Sequence, residues 1–146
     1  MQYNKYRNGV QIMPEKSLSL SVLPGRFVIS KLDPNSDIPN WCTSGAFFSI
    51  TKTDNELSIV YPQGIHLNDV SRGVSERDWK ALRIDGILDF SFIGVIASIS
   101  NIFANKGISI FVISTFNTDY FLVKEKDLEK ATETLIDAGF NIHTFK

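Results

Sequence analysis

Slid along itself by 63 residues, the chain sets FFSITKTDNELSIV (47–60) on IFVISTFNTDYFLV (110–123) without a gap. Phe48 then meets Phe111, Ile50 meets Ile113 and Val60 meets Val123, while Thr51, Asp54, Glu56 and Ile59 meet Ser114, Asn117, Asp119 and Leu122. Each window is a polar, turn-forming centre between two apolar runs, which is the pattern of a β-hairpin. A hairpin that recurs at long spacing restricts the chain to a tandem of related units. The 146 residues suit two small units or one compact domain, and 43% apolar with 12% aromatic residues is enough for a real core.

The second copy reads as complete. WKALRI (79–84) has strand character and Asp85-Gly86 ends it. From Gly94 to Lys106, Val95, Ile96, Ile99, Ile102 and Phe103 fit one helical face, with Ser98, Asn101 and Asn105 opposite and Gly107 as the stop. ISIFVIS and DYFLVK pair around TFNT, and KDLEKATETLIDAG puts Leu128, Ala131, Leu135 and Ala138 on one face before stopping at Gly139. FNIHTF alternates as a last strand. The order is β-α-β-β-α-β, the ferredoxin-like unit.

The first copy reads as trimmed. LSLSVL and RFVISKL flank Pro24-Gly25 and are expected to form a hairpin; DPNSDIPNWCTSG follows as a loop with at most a short helical turn. AFFSITKT and ELSIVY make the next hairpin, and 62–78 is a polar connector. With Leu32 set on Ile84, this copy is about ten residues shorter before its hairpin, so it keeps its sheet and loses most of its first helix. The expected fold is α+β: two tandem ferredoxin-like (βαββαβ) units at 18–78 and 79–146, the first with a shortened first helix.

Fifteen basic against sixteen acidic residues leave a net charge of -1, and no block of five like charges occurs, so no nucleic-acid partner is expected. The apolar runs fall far short of the roughly 20 residues that span a bilayer, and MQYNKYRNG lacks a signal-peptide core, which points to a cytoplasmic protein with no membrane partner. A single cysteine and two histidines, His66 and His143, without ligand spacing argue against a metal, and nothing indicates a cofactor. Cys42 has no base tied to it by pattern, so a packed thiol is the reading. Trp41 and Trp79 are expected to pack the two units together.

In a β-α-β-β-α-β unit the C-terminal end of the first strand meets the hairpin turn at one sheet edge, which would bring DGILDFSFIG (85–94) beside STFNTD (114–119). The helix start near Ile93 and Gly94 offers unpaired backbone N–H groups and the positive end of the dipole to a carboxylate. Asp119 offers a carboxylate to an ammonium group, and Ser114, Thr115 and Thr118 offer hydroxyls. The set suits a free amino acid, with Phe116 or Phe90 beside its side chain. A second reading of the same residues is structural: a T-x-x-T-D turn can satisfy its own backbone, and Asp89 or Ser91 can cap the helix.

LRIDGILDFSFIGVIASISNIFANKGISIFVISTFNTDYFLVKEKDLEKATETLIDAGF resembles the ACT domain, in particular small bacterial proteins of two tandem ACT-like units similar to the ACT modules of aspartate kinases and of the cytosolic arginine sensors of animals. LSVLPGRFVISKLDP, IPNW and FFSITKTDNELSIV look like the first unit of the same proteins. The resemblance implies a regulatory, non-catalytic module that binds amino acids at interfaces between ACT units, often across a dimer. It implies ligand contacts at Asp89, Phe90, Ile93, Gly94, Ser114, Thr115, Phe116, Thr118 and Asp119, a homodimer, and a regulated enzyme on a separate chain. A protein-interaction or assembly module with no ligand is the alternative. An enzyme is disfavoured, because no nucleophile and base pair or phosphate-cradling glycine motif is present.

Overall fold

The computed structural model describes residues 6–7, 10–11, 18–65, 74–86 and 93–144. Its elements are β1 (Tyr6–Arg7), β2 (Val10–Gln11), β3 (Ser19–Val22), β4 (Phe27–Leu32), β5 (Ser49–Lys52), β6 (Leu57–Pro62), β7 (Val74–Ile84), α1 (Val95–Ala104), β8 (Phe111–Ser114), β9 (Asp119–Lys124), α2 (Leu128–Asp137) and β10 (Asn141–Thr144). Short 3-10 turns stand at Asn40–Thr43 and Glu125–Asp127. β1 and β2 pair antiparallel. Contacts divide the chain into 25–80 and a second unit made of 1–24 with 81–146. β7 gives residues 74–80 to the first and 81–84 to the second. No helix among the described residues is long and apolar enough to cross a membrane.

In the unit 25–80 the strand order is β7-β4-β6-β5, antiparallel throughout. Between β4 and β5 the chain makes only the four-residue turn at Asn40–Thr43, so the shortened helix of the first copy is present as expected. That turn carries Cys42 into a core of Val28, Leu32, Leu57, Ile59 and Tyr61. Trp41 packs edge-on against Tyr61 of its own unit, with ring centroids 4.9 Å apart. β7 begins at Val74 rather than at the expected Trp79. Its first residues are mostly exposed and polar, which hid a strand whose apolar alternation starts only at Trp79. Phe27 faces Trp79 and Ile29 faces Glu76, so Arg77 and Asp78 oppose Val28 alone. This is a β-bulge, and Asp78 takes a left-handed backbone there (φ 62°). Gln63 clasps the bulge: the Asp78 N–H donates to Gln63 Oε1 at 2.8 Å, and Gln63 Nε2 donates to Asp78 Oδ1 at 2.9 Å.

In the other unit the sheet order is β10-β3-β7-β9-β8, with β7, α1, β8, β9, α2 and β10 following in the expected β-α-β-β-α-β order. The hairpin expected between LSLSVL and RFVISKL does not form. β3, placed in the first copy by its position in sequence, instead pairs antiparallel with β7 and parallel with β10, while β4 pairs with β6 and β7. Pro24-Gly25 turns the chain in either arrangement, so local signals could not choose; burial did. Leu20 and Val22 enter the helix-covered core beside Leu82, Ile84, Val95, Ile99, Phe103, Phe121, Val123, Ala131 and Leu135.

Both helices present the apolar stripes that their spacing predicts, except that Ile96 remains 38% exposed. Both end in a Schellman motif. At α1 the Gly107 N–H donates to Ala104 O and the Ile108 N–H to Phe103 O, each at 3.0 Å. At α2 Gly139 donates to Ile136 O at 2.9 Å and Phe140 to Leu135 O at 3.0 Å. Both glycines sit at positive φ, 67° and 102°, where a side chain would clash with its own backbone. Each following apolar residue, Ile108 or Phe140, packs back into the core that its helix covers.

Candidate functional site

The turn between β8 and β9 is fixed by two threonines. Ser114 and Asp119 form the last cross-strand pair. Within the turn, the Thr115 N–H donates to Thr118 O at 2.8 Å, the Thr115 hydroxyl donates to the same carbonyl at 3.1 Å, and the Thr118 N–H donates to that hydroxyl at 3.2 Å. Thr118 is 8% exposed, and its own hydroxyl donates to Ile84 O at 2.7 Å. The turn is thereby tied to the end of β7, where the loop starting at Asp85 begins. Ile84 immediately precedes the segment 85–94, of which 87–92 lie outside the described residues.

The expected contact residues thus fall into distinct groups. The hydroxyls of Thr115 and Thr118 are spent inside the protein. Phe116 is 81% exposed at the tip, Ser114 is exposed and Asp119 is half-buried. The Asp119 carboxylate and the Ser114 hydroxyl make no hydrogen bond or ion pair among the described residues. By strand alternation they share the sheet face on which Phe121, Val123 and Val112 meet the helices. Ile93 is 59% exposed, and Gly94 takes the N-cap position of α1 with φ 89° and open space where a Cβ would stand. No side chain caps this helix start, while Gly94 O accepts from the Ser98 N–H at 2.8 Å. Asp89 and Phe90 lie outside the described residues.

The hairpin of the other unit makes the same turn and corrects the repeat offset. The Thr53 N–H donates to Glu56 O at 2.9 Å, and the N–H groups of Asn55 and Glu56 donate to the Thr53 hydroxyl at 3.2 and 3.1 Å. Lys52 pairs with Leu57 as Ser114 pairs with Asp119. Thr53 is therefore the counterpart of Thr115, an offset of 62 and not 63. Burial agrees, since Ile59, Val60 and Tyr61 are buried as Phe121, Leu122 and Val123 are. Apolar residues occupy both faces of these strands, so either offset matched apolar on apolar. Turn geometry and burial together separate two registers that differ by one residue. Under the correct offset Glu56 stands for Thr118, and Leu57, 1% exposed, stands for Asp119.

Asp85, at the end of β7 and the start of the segment 85–94, has a structural role. Ser21 donates to its Oδ2 at 2.8 Å, Arg83 Nη2 lies 3.3 Å from its Oδ1, and its N–H donates to Ser19 O at 2.9 Å. It closes the end of β7 onto β3, a strand whose placement sequence reasoning missed, so no sequence signal pointed to this role. A groove of about 390 Å³ between α2 and the β3/β10 edge is lined by Val22, Leu128, Thr132, Ile136 and Ile142 with Glu125 and Glu129 at its rim, and includes none of the expected contact residues. Among the described residues no group of His, Cys, Asp and Glu could hold a metal ion.

A family model described as the ACT domain matches residues 74–137, and a model of the N-terminal domain of a further family matches residues 25–64. Protein Atu0741 from Agobacterium tumefaciens, known from a crystal structure, is 34% identical, with 88% of this chain and 94% of that chain superposed at a TM-score of 0.80. The human protein CASTOR3P is 33% identical, with 61% of each chain covered, so this chain spans less than two thirds of that curated relative. At 11% identity the regulatory subunit of aspartate kinase from Thermus thermophilus shares the fold, with a TM-score of 0.56 over 82% of this chain and 97% of that one.

Proposed function

Since the chain belongs to the ACT domain family, we propose that this regulatory module is non-catalytic and binds a free amino acid at the edge formed by the start of α1 and the β8–β9 turn. The carrying observation is the Thr118 bond to Ile84, which ties the turn to the strand end that leads toward α1. The ligand's ammonium group pairs with the Asp119 carboxylate, a group with no partner among the described residues. Its carboxylate takes the uncapped N–H groups of α1, which the open space at Gly94 leaves approachable. Ile93, Phe116 and Ser114 border its side chain, and Asp89 and Phe90 complete the contact set. Thr115 and Thr118 shape the turn and leave the contacting to their neighbours.

As a regulatory unit it works as a cytoplasmic homodimer and acts on an enzyme carried by a separate chain. A thermal-shift screen with each of the twenty amino acids tests the reading. One of them should raise the melting temperature in a concentration-dependent way. Flat melting curves with all twenty favour instead an assembly module with no ligand.

A further inference from the structure

The two turns share one backbone design and differ at the positions that the amino-acid reading uses. Thr53 and Thr115 each organise four residues by the same hydrogen bonds from N–H groups and to a carbonyl. Asp119 offers a half-buried carboxylate, whereas Leu57 at the equivalent place is 1% exposed and belongs to the core with Val28, Ile59 and Tyr61. Thr118 reaches the end of its neighbouring strand through a hydroxyl, whereas Glu56 has no hydroxyl to donate. The element before the hairpin differs as well: α1 has ten residues, and its counterpart at Asn40–Thr43 has four, closed by Cys42 and Ser44 N–H bonds to Pro39 O and Trp41 O.

We infer that the chain holds one ligand site, not two: the Asp119 turn takes the ammonium group, and the unit 25–80 contributes scaffold without a second site. Restoring a site in that unit would require a carboxylate where Leu57 is packed, and burying a charge there without a partner is strongly unfavourable. Under the 62-residue offset a core leucine thus stands where the other copy carries the Asp119 carboxylate. This inference rests on the amino-acid reading above.

Native mass spectrometry of the full chain, in separate mixtures with each of the twenty amino acids, counts bound molecules directly. The expected result is a single adduct per chain with the stabilising amino acid. That adduct should be lost in Asp119→Asn and kept in the double variant Asp54→Asn/Glu56→Gln, which removes both carboxylates of the other turn. Two adducts per chain, or loss of binding in the double variant, overturns the single-site inference while leaving amino-acid binding intact. No adduct with any of the twenty overturns both.

Discussion

Thr118 and Ile84 are 34 residues apart and joined by a 2.7 Å hydrogen bond from the threonine hydroxyl to the isoleucine carbonyl. Ile84 is fully buried and Thr118 nearly so, and the bond fastens a hairpin turn to the end of the neighbouring strand. Replacing the hydroxyl by a methyl group of the same shape removes a donor from a buried carbonyl. Thr118→Val should lower unfolding stability by about 1–3 kcal/mol, and Thr118→Ser should keep most of what valine loses. Urea unfolding of the two variants checks this, and equal losses would assign the effect to packing instead of the bond.

The Asp119 carboxylate makes no hydrogen bond or ion pair among the described residues. Asp119→Asn should therefore stay within about 0.5 kcal/mol of the parent stability. It should also abolish the shift in melting temperature caused by the stabilising amino acid, which for the parent reaches about 2.7 kcal/mol at a hundredfold excess over Kd. Thermal denaturation with and without that amino acid gives both numbers.

Gly107 tests the helix stop. Its φ is 67° and no atom beyond its chain neighbours lies within 4 Å of where a Cβ would be, so a substitution there is opposed by its own backbone and by nothing else. Gly107→Ala should cost about 1–2 kcal/mol, and Gly107→Asn less, because asparagine tolerates the left-handed region. Chemical denaturation ranks the three proteins.

Leu135 is fully buried on α2 in the core of its unit. Leu135→Ala should cost about 2–5 kcal/mol, and the volume-conserving Leu135→Met less than about 1.5 kcal/mol. Unfolding curves that gave the methionine variant the larger loss would contradict this packing.

Cys42 donates its thiol to Pro39 O at 2.9 Å, and burial pushes its pKa above the ordinary 9.0, outweighing an opposing backbone hydrogen bond. The folded state thus favours the protonated thiol. Its contribution to stability is fully present below 9.0, and falls as pH rises above that value, where the unfolded chain loses the proton first. Unfolding of the parent and Cys42→Ala from neutral to alkaline pH should show the parent losing stability relative to the variant above 9.0. In the folded protein the thiol should also resist iodoacetamide at neutral pH.

Both helices, their glycine stops and the two hairpins were legible because their signals are local. A stripe at Val95, Ile99 and Phe103, or a Schellman glycine at 107 or 139, is read within a dozen residues. The candidate site is legible in part: the turn and the helix start follow from local signals, but the sequence leaves Thr115 and Thr118 open between ligand donors and turn formers, and only the fold shows their hydroxyls donating within the protein.

By itself the sequence determined that the chain carries two related hairpins, that one copy keeps two helices and the other loses its first, and where those helices end. These are consequences of side-chain periodicity and of backbone preferences at single residues. Only the tertiary structure decided that β3 leaves its neighbour β4 to lie between β7 and β10, that the repeat runs at 62 residues, and that Asp119 corresponds to a buried leucine. Strand pairing is chosen by which apolar face can be buried against a distant partner. A period of two cannot distinguish registers one residue apart when both faces are apolar.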